Sequence, residues 1–227
     1  MFNYIAYAIG EIGLVVIGIL IAVALNNWNE KEQEKKELNN ILVTISENLK
    51  NDILEIDKIL GFHENTEPLY DKILSGSITK KDYLDAEDIR LHFLILGYPE
   101  ISFDKRGFNL LSAYNSNNDT TQDTLAAHIA DFYTERLLEI KVDDEFRAVD
   151  FENNYEYWKN NYNWWAKYIT RKDFDGFEEY ALNDPDYKNR VANAYFLTYE
   201  IFLPELIIFK EQGIQIIKAI EQRAIKK

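Results

Sequence analysis

The chain has 227 residues, no cysteine and a formal net charge of −14. Disulfides, thiolate catalysis and zinc–thiolate sites are therefore excluded, and a nucleic-acid partner is disfavoured because phosphate binding needs a basic face. Nine glycines and four prolines, set among long runs of Glu, Lys, Leu, Ile and Asn, favour helices over strands.

The first predicted element is an apolar run over residues 5–25, interrupted only by Glu11. As a helix it spans roughly 31 Å, close to the hydrocarbon thickness of a bilayer. Ala22-Val23-Ala24 looks like a leader-cleavage site. However, no basic region precedes the run and Glu11 lies within it, so the segment reads as an uncleaved anchor. At 100° per residue Tyr4, Tyr7, Glu11, Gly18, Ala22 and Leu25 share one face, and Ala6, Gly10 and Gly13 cluster on another. The pairs Ala6/Gly10 and Gly18/Ala22 have the small-xxx-small spacing that lets membrane helices approach closely. An ionised Glu11 costs several kcal/mol facing lipid, so it faces a protein partner, is protonated, or snorkels to the interface beside Tyr4 and Tyr7. Trp28 marks where the helix leaves the membrane.

The string Tyr7-Ala8-Ile9-Gly10-Glu11-Ile12, followed by LVVIGILIA and then Asn26-Asn27-Trp28-Asn29-Glu30, resembles the opening of a family of single-pass proteins of unknown function from Bacteroidota. The resemblance implies an inner-membrane anchor, with Glu11 as its acidic position and the larger part of the chain outside the cytoplasm. It implies no activity. The lysines nearest the run, Lys31, Lys35 and Lys36, follow it, which by the positive-inside rule places the larger part in the cytoplasm instead. The resemblance favours the periplasm.

Two units follow: an anchor over residues 1–28 and an exterior helical bundle over residues 29–227. Only Glu11 among the charged residues falls in the anchor, so the exterior holds 38 acids against 25 bases. A charged connector over 30–36 leads into an apolar stripe, Leu42, Ile45, Leu49, Ile53, Ile56 and Leu60. Gly61 and Pro68 are expected to interrupt or kink this helix, and Ser75-Gly76 to stop it. Thr79 with Asp82 has capping-box spacing and opens a short helix ending at Gly97-Tyr98-Pro99. Another short helix is predicted over 103–114, then a polar loop over 115–119, with a new start signalled by Thr120 and Asp123.

One long helix is expected next, carrying Leu125, Ile129, Phe132, Leu137 and Ile140. It continues through Phe151, Tyr155, Trp158, Tyr162, Trp165 and Ile169 in alternating steps of four and three. A shorter piece over 173–183 precedes Asp184-Pro185, an N-cap with proline at the first helical position. The last helix carries Val191, Tyr195, Phe202, Leu206, Phe209, Gly213, Ile216 and Ile220, with a kink expected at Pro204. The fold class is all-α: a transmembrane helix continuing into an elongated antiparallel bundle.

Chemistry is thinly signalled. The set Phe151, Tyr155, Trp158, Tyr162 and Trp165 reads as bundle core. Tyr157 and Trp164, seven apart and off that stripe, are the candidate interaction surface. His63, His92 and His128 stand far apart, and Asp88 and His92, one turn apart, fit a surface hydrogen bond better than a metal. Asp143, Asp144 and Glu145 lack the spacing of a calcium loop and read as a solvated turn. No nucleophile elbow, phosphate loop or dinucleotide fingerprint occurs, so neither a cofactor nor a catalytic residue is assigned. The function expected is a membrane-anchored interaction or sensing module, not an enzyme. It would act through protein or ligand contacts and self-associate through the anchor as a homo-oligomer. A channel or transporter accessory subunit with Glu11 in a helix ring is the alternative, and a hydrolase acting on envelope material has little support.

Overall fold

The computed structural model describes residues 2–84, 89–97, 99–117 and 123–225, with side chains described throughout except at residues 2–12 and 115–117. All described regular structure is helical, and no strand occurs among these residues. The first helix, α1 (Phe2–Ser75), is a single rod of 74 residues, about 110 Å long at 1.5 Å per residue. Its side chains from Leu14 to Trp28 are all exposed, and the first buried one is Leu38. Beyond that point Leu42, Ile45, Leu49 and Ile56 are almost fully buried, so the stripe seen in the sequence is the face that meets the bundle.

Neither Gly61 nor Pro68 interrupts the rod; Pro68 lies inside it. Pro68 itself is exposed, and burial of His63, Thr66 and Tyr70 on the bundle-facing side of this stretch outweighs the one backbone hydrogen bond that proline removes. The stop is where the sequence puts it. Gly76 adopts φ +75°, its N–H donates to the Ile73 carbonyl at 3.1 Å, and that of Ser77 donates to the Lys72 carbonyl at 3.0 Å. This is the paired hydrogen-bond pattern of a glycine C-cap, in a conformation that a side chain would strain.

A short helix, α2 (Lys80–Leu84), opens on the predicted capping box, with the Asp82 carboxylate accepting from the Thr79 N–H at 2.8 Å and from its hydroxyl at 2.7 Å. A 3₁₀ turn over Ile89–Leu91 and further turns through Leu96 replace the predicted continuous helix, whose Tyr98 lies outside the described residues. Helix α3 (Arg106–Asn117) extends into the segment expected to be loop; Asn118 and Asp119 lie outside the described residues. Gly107 lets α3 press onto α1. A Cβ there would lie 2.9 Å from both the Cα and the N of Ile45, so backbone meets backbone and no larger residue fits.

Helix α4 (Thr124–Asn161) starts at Asp123, which is itself the N-cap, accepting from the Ala126 N–H at 3.1 Å. Thr120, the other half of the predicted start signal, lies outside the described residues. The helix stops at Asn161 and does not run to Ile169. Turn residues 162–164 then lead to α5 (Trp165–Ile169) and α6 (Asp175–Asn183). The unbroken four-three spacing across the break arises because the chain folds back on itself. Trp158, Trp165 and Tyr168 enter one core from two directions, and Ile169 is left exposed.

Asp184 caps α7 (Pro185–Tyr195), accepting from the Asp186 N–H at 2.9 Å. A π-helical segment over Phe196–Phe202 then joins α7 to α8 (Leu203–Ile225). Its signature is the Leu203 N–H donating to the Thr198 carbonyl, five residues back. The widened turn falls immediately before Pro204, whose ring would clash with the preceding turn of a regular α-helix. The predicted irregularity is thus a π-bulge.

Three long rods make the bundle. Lys50–Glu221, Asp57–Lys210 and His63–Tyr199 contacts run in opposite senses along α1 and α7–α8. So do Asp123–Arg223, Arg136–Glu205 and Asp150–Asn193 along α4 and α7–α8. The pair α1 and α4 are therefore parallel to each other, and α7–α8 is antiparallel to both. Two hydrophobic cores lie along the axis. The anchor-proximal one joins Leu42, Ile45 and Leu49 to Ile129, Tyr133, Leu206 and Phe209. The anchor-distal one is built from Tyr70, Leu91, Trp158, Tyr168, Phe177 and Tyr187.

Candidate functional site

The leading rod is the first region of interest. Among the described residues two helices are long and apolar enough to cross a membrane, one within Gly13–Ser75 and one within Pro185–Ile225. Burial separates them: none of the most apolar stretch of the first is buried, against 33% of the second. The second spends its apolar face, Leu206, Phe209, Ile216 and Ile220, on the anchor-proximal core. In the first, a Cβ added at Gly13 or Gly18 would meet nothing within 4 Å. Ala22 is exposed and Trp28 is 64% exposed. The side chains of Tyr7, Gly10 and Glu11 lie outside the described residues.

The aromatic cluster is the second region. Trp158 is 1% exposed, and its indole N–H donates to the Tyr180 hydroxyl at 3.1 Å. That hydroxyl in turn donates to Asp186 at 2.7 Å. Tyr157 and Trp164 do not share a helix face, because α4 ends between them. Tyr157 stays at the surface, but the Arg190 guanidinium covers its ring at 3.8 Å. Arg190 is fixed there by Asp186 at 2.7 Å and Asn154 at 2.8 Å. Trp164 is half-buried, with its ring against Trp158, Tyr162, Tyr168, Phe177 and Tyr180. Tyr162 bridges the two residues, touching Tyr157 edge-on and stacking on Trp164. On the outer face of α4, by contrast, Leu138, Val142, Phe146 and Val149 are exposed, an apolar patch over about three helical turns.

Buried polar residues form the third feature, one that periodicity alone passes over. In α1, Asn48 donates to Asp104 at 2.7 Å and accepts from the Gly107 N–H at 2.8 Å, while Asp52 accepts from the Asp104 N–H at 2.9 Å. Together they tie the chain before α3 to the bundle. Burial pushes Asp52 up to about 6, partly opposed by that N–H and reinforced by the charge of Asp104. His63 is 3% exposed, and neither ring nitrogen has a hydrogen-bond partner among the described residues. Burial, with the nearby charge of Arg147, lowers it to about 4, so at neutral pH it is uncharged. Arg147 is 4% exposed, its guanidinium 3.9 Å from the Phe202 ring centroid and 3.1 Å from Asp144. The predicted solvated turn of acids is therefore half wrong. Asp143 is buried and Asp144 is paired with a buried arginine; only Glu145 is exposed. A signal existed: Asn48, Asp52 and Arg147 fall on the inward faces of their helices, where only partnered polar groups persist.

His92 is buried rather than at the surface. Its Nε2 lies 3.1 Å from Glu178 Oε1, among the rings of Tyr83, Phe174 and Phe177. Asp88, its expected neighbour, lies outside the described residues, and His128 is exposed. Among the described residues no three His, Cys, Asp or Glu side chains converge to hold a metal.

These observations define a class: an all-helical chain whose leading apolar rod is bare and runs unbroken into a two-core bundle. Within that class, residues 11–92 match the family of unknown function DUF6090. The match covers α1 from Glu11 onward and ends at His92, inside the anchor-distal core that Tyr70, Ile73 and Tyr83 have already joined. No curated protein and no solved structure matches the chain.

Proposed function

We propose that this chain is a single-pass protein of the inner membrane whose helical bundle, in the periplasm, acts through protein or ligand contacts while the anchors associate with one another. The observation that carries this reading is the continuity of α1. The bare stretch before Trp28 and the buried stripe from Leu38 onward belong to one helix, separated by about 15 Å of charged connector. A rotation or shift of the anchor is therefore delivered to the bundle without an intervening hinge. The open faces at Gly18 and Ala22 support close helix approach. The exposed patch on α4 supports contact with a partner.

The absence of cysteine makes the test direct. In native membranes, Ala22→Cys is expected to yield a disulfide-linked dimer under mild oxidation. Leu20→Cys, about 200° around the helix, should yield little, and Gly18→Leu placed in the Ala22→Cys background should reduce the product several-fold. Equal yields at both positions, or none at either, would remove self-association from the reading.

A further inference from the structure

We infer that a pocket in the anchor-distal half of the bundle binds a small, water-soluble carboxylate with an apolar body, such as a medium-chain acyl or aryl acid, and that Arg171 holds its carboxylate. The pocket, about 340 Å³, lies between α1, the 3₁₀ turn and the turn after α5. Phe62, Ile89, Phe93, Leu94 and Pro99 form apolar walls. Thr66 adds no free donor for an anion, because its hydroxyl already donates to the Phe62 carbonyl at 2.6 Å. Among the described residues no acidic side chain lines the pocket, and two arginines do: Arg90 and Arg171.

Arg90 already has an interaction of its own, so the head group is assigned to Arg171 alone. Among the described residues the Arg171 guanidinium has no carboxylate partner; its contact is with the Phe93 ring, 5.4 Å from the centroid. Its backbone is informative. Arg171 has φ 56°, the one positive value among the described non-glycine residues. It directly follows Thr170, the C-cap of α5, its N–H donating to the Tyr168 carbonyl at 2.8 Å while that of Lys172 donates to the Lys167 carbonyl at 2.9 Å. Glycine fits this position without strain, as Gly76 does in the equivalent turn after α1. An arginine here accepts a backbone cost that glycine avoids, and it places a planar, bidentate donor beside an apolar pocket.

Size and position narrow the ligand. At about 340 Å³ the pocket lies at the small end of ligand sites, the range of a medium-chain acid rather than a large cofactor. Phe62 and Thr66 follow Trp28 by 34 and 38 residues of unbroken helix, more than 50 Å along the rod. A lipid seated in the bilayer does not reach that far, so the ligand is free in solution. This step rests on the anchor reading above; the pocket and Arg171 do not.

The test is calorimetric titration of octanoate into the full chain in phosphatidylcholine nanodiscs. Saturable binding is expected, with affinity at least tenfold lower in Arg171→Gly. Octanol, which lacks the charge, is expected to show no saturable binding. Arg171→Gly relieves the backbone, so its unfolding temperature should be unchanged or higher, which separates lost binding from lost folding. Equal octanoate binding by both proteins, or none by wild type, overturns the proposal. Competition by phosphatidylglycerol added to the discs would overturn the free-ligand assignment. Crosslinking through Ala22→Cys is read independently of octanoate, so failure here leaves the anchor reading intact.

Discussion

Replacing Trp158 by alanine is expected to cost about 3–5 kcal/mol of stability, the range for removing a fully buried indole. The side chain is 1% exposed and touches the rings of Trp164, Tyr168, Phe177, Tyr180 and Tyr187. Its loss also removes the indole N–H from the Tyr180 hydroxyl, at the head of the chain that runs on to Asp186. The remaining tryptophans of the bundle, Trp164 and Trp165, sit in the same anchor-distal cluster. Denaturation followed by tryptophan fluorescence therefore reads that end of the bundle, while helical circular dichroism reads both cores. The expected result is a lower midpoint by both probes, larger by fluorescence. A change below about 1 kcal/mol would mean that this cluster does not hold the distal end together.

The second large effect is an opposition between two buried groups. His63 is held near 4 in the fold against an ordinary value of 6.5. Its stabilising contribution is thus present above about pH 6.5 and lost as pH falls toward 4. Asp52 is raised to about 6 from 3.8, so its contribution is present below about pH 3.8 and lost as pH rises toward 6. Each amounts to about 3 kcal/mol at about 1.4 kcal/mol per pH unit, and between pH 4 and 6 they largely cancel. Removing one exposes the other. Relative to wild type, the His63→Leu variant should lose stability as pH rises from 4 to 6. Relative to wild type, Asp52→Asn should gain stability over the same range. The buried Asp143 and the half-buried Asp144 and Asp150 are also shifted upward by burial, but they are common to all three proteins and drop out of the differences. His63→Leu should also exceed wild type in stability at pH 5, since it removes two buried nitrogens that have no partners among the described residues. Urea midpoints at pH 4, 5, 6 and 7 measure all of this, and parallel profiles for the three proteins would refute it.

Much of the fold is legible in local chemistry. The α1 stripe, the stop at Gly76, the Thr79–Asp82 cap and the Asp184-Pro185 start each follow from one or two residues acting on their own neighbours. The errors share a cause: they lie where tertiary contacts override local preference. Pro68 stays inside a helix whose Thr66 and Tyr70 are buried against the bundle, Tyr162 ends one although the apolar spacing runs on, and the strain at Pro204 is absorbed by a π-helical segment. Of the candidate site, the bare apolar rod was readable from composition alone. The pairing of Tyr157 with Arg190 was not, since 33 residues and a chain reversal separate them. The pocket beside Arg171 was hidden for the same reason. Nothing in the local sequence at Arg171 marks a left-handed residue, and its partner ring, Phe93, comes from another part of the chain.

The reading of this protein depends on α1 being at once the bundle's longest helix and its hold on the membrane. Alkaline carbonate washing of membranes that carry the full chain, followed by intact-mass measurement of what remains in the pellet, tests this most directly. The protein is expected in the pellet with residues 5–25 still attached. Recovery in the supernatant as a chain beginning near Ala24 would contradict it.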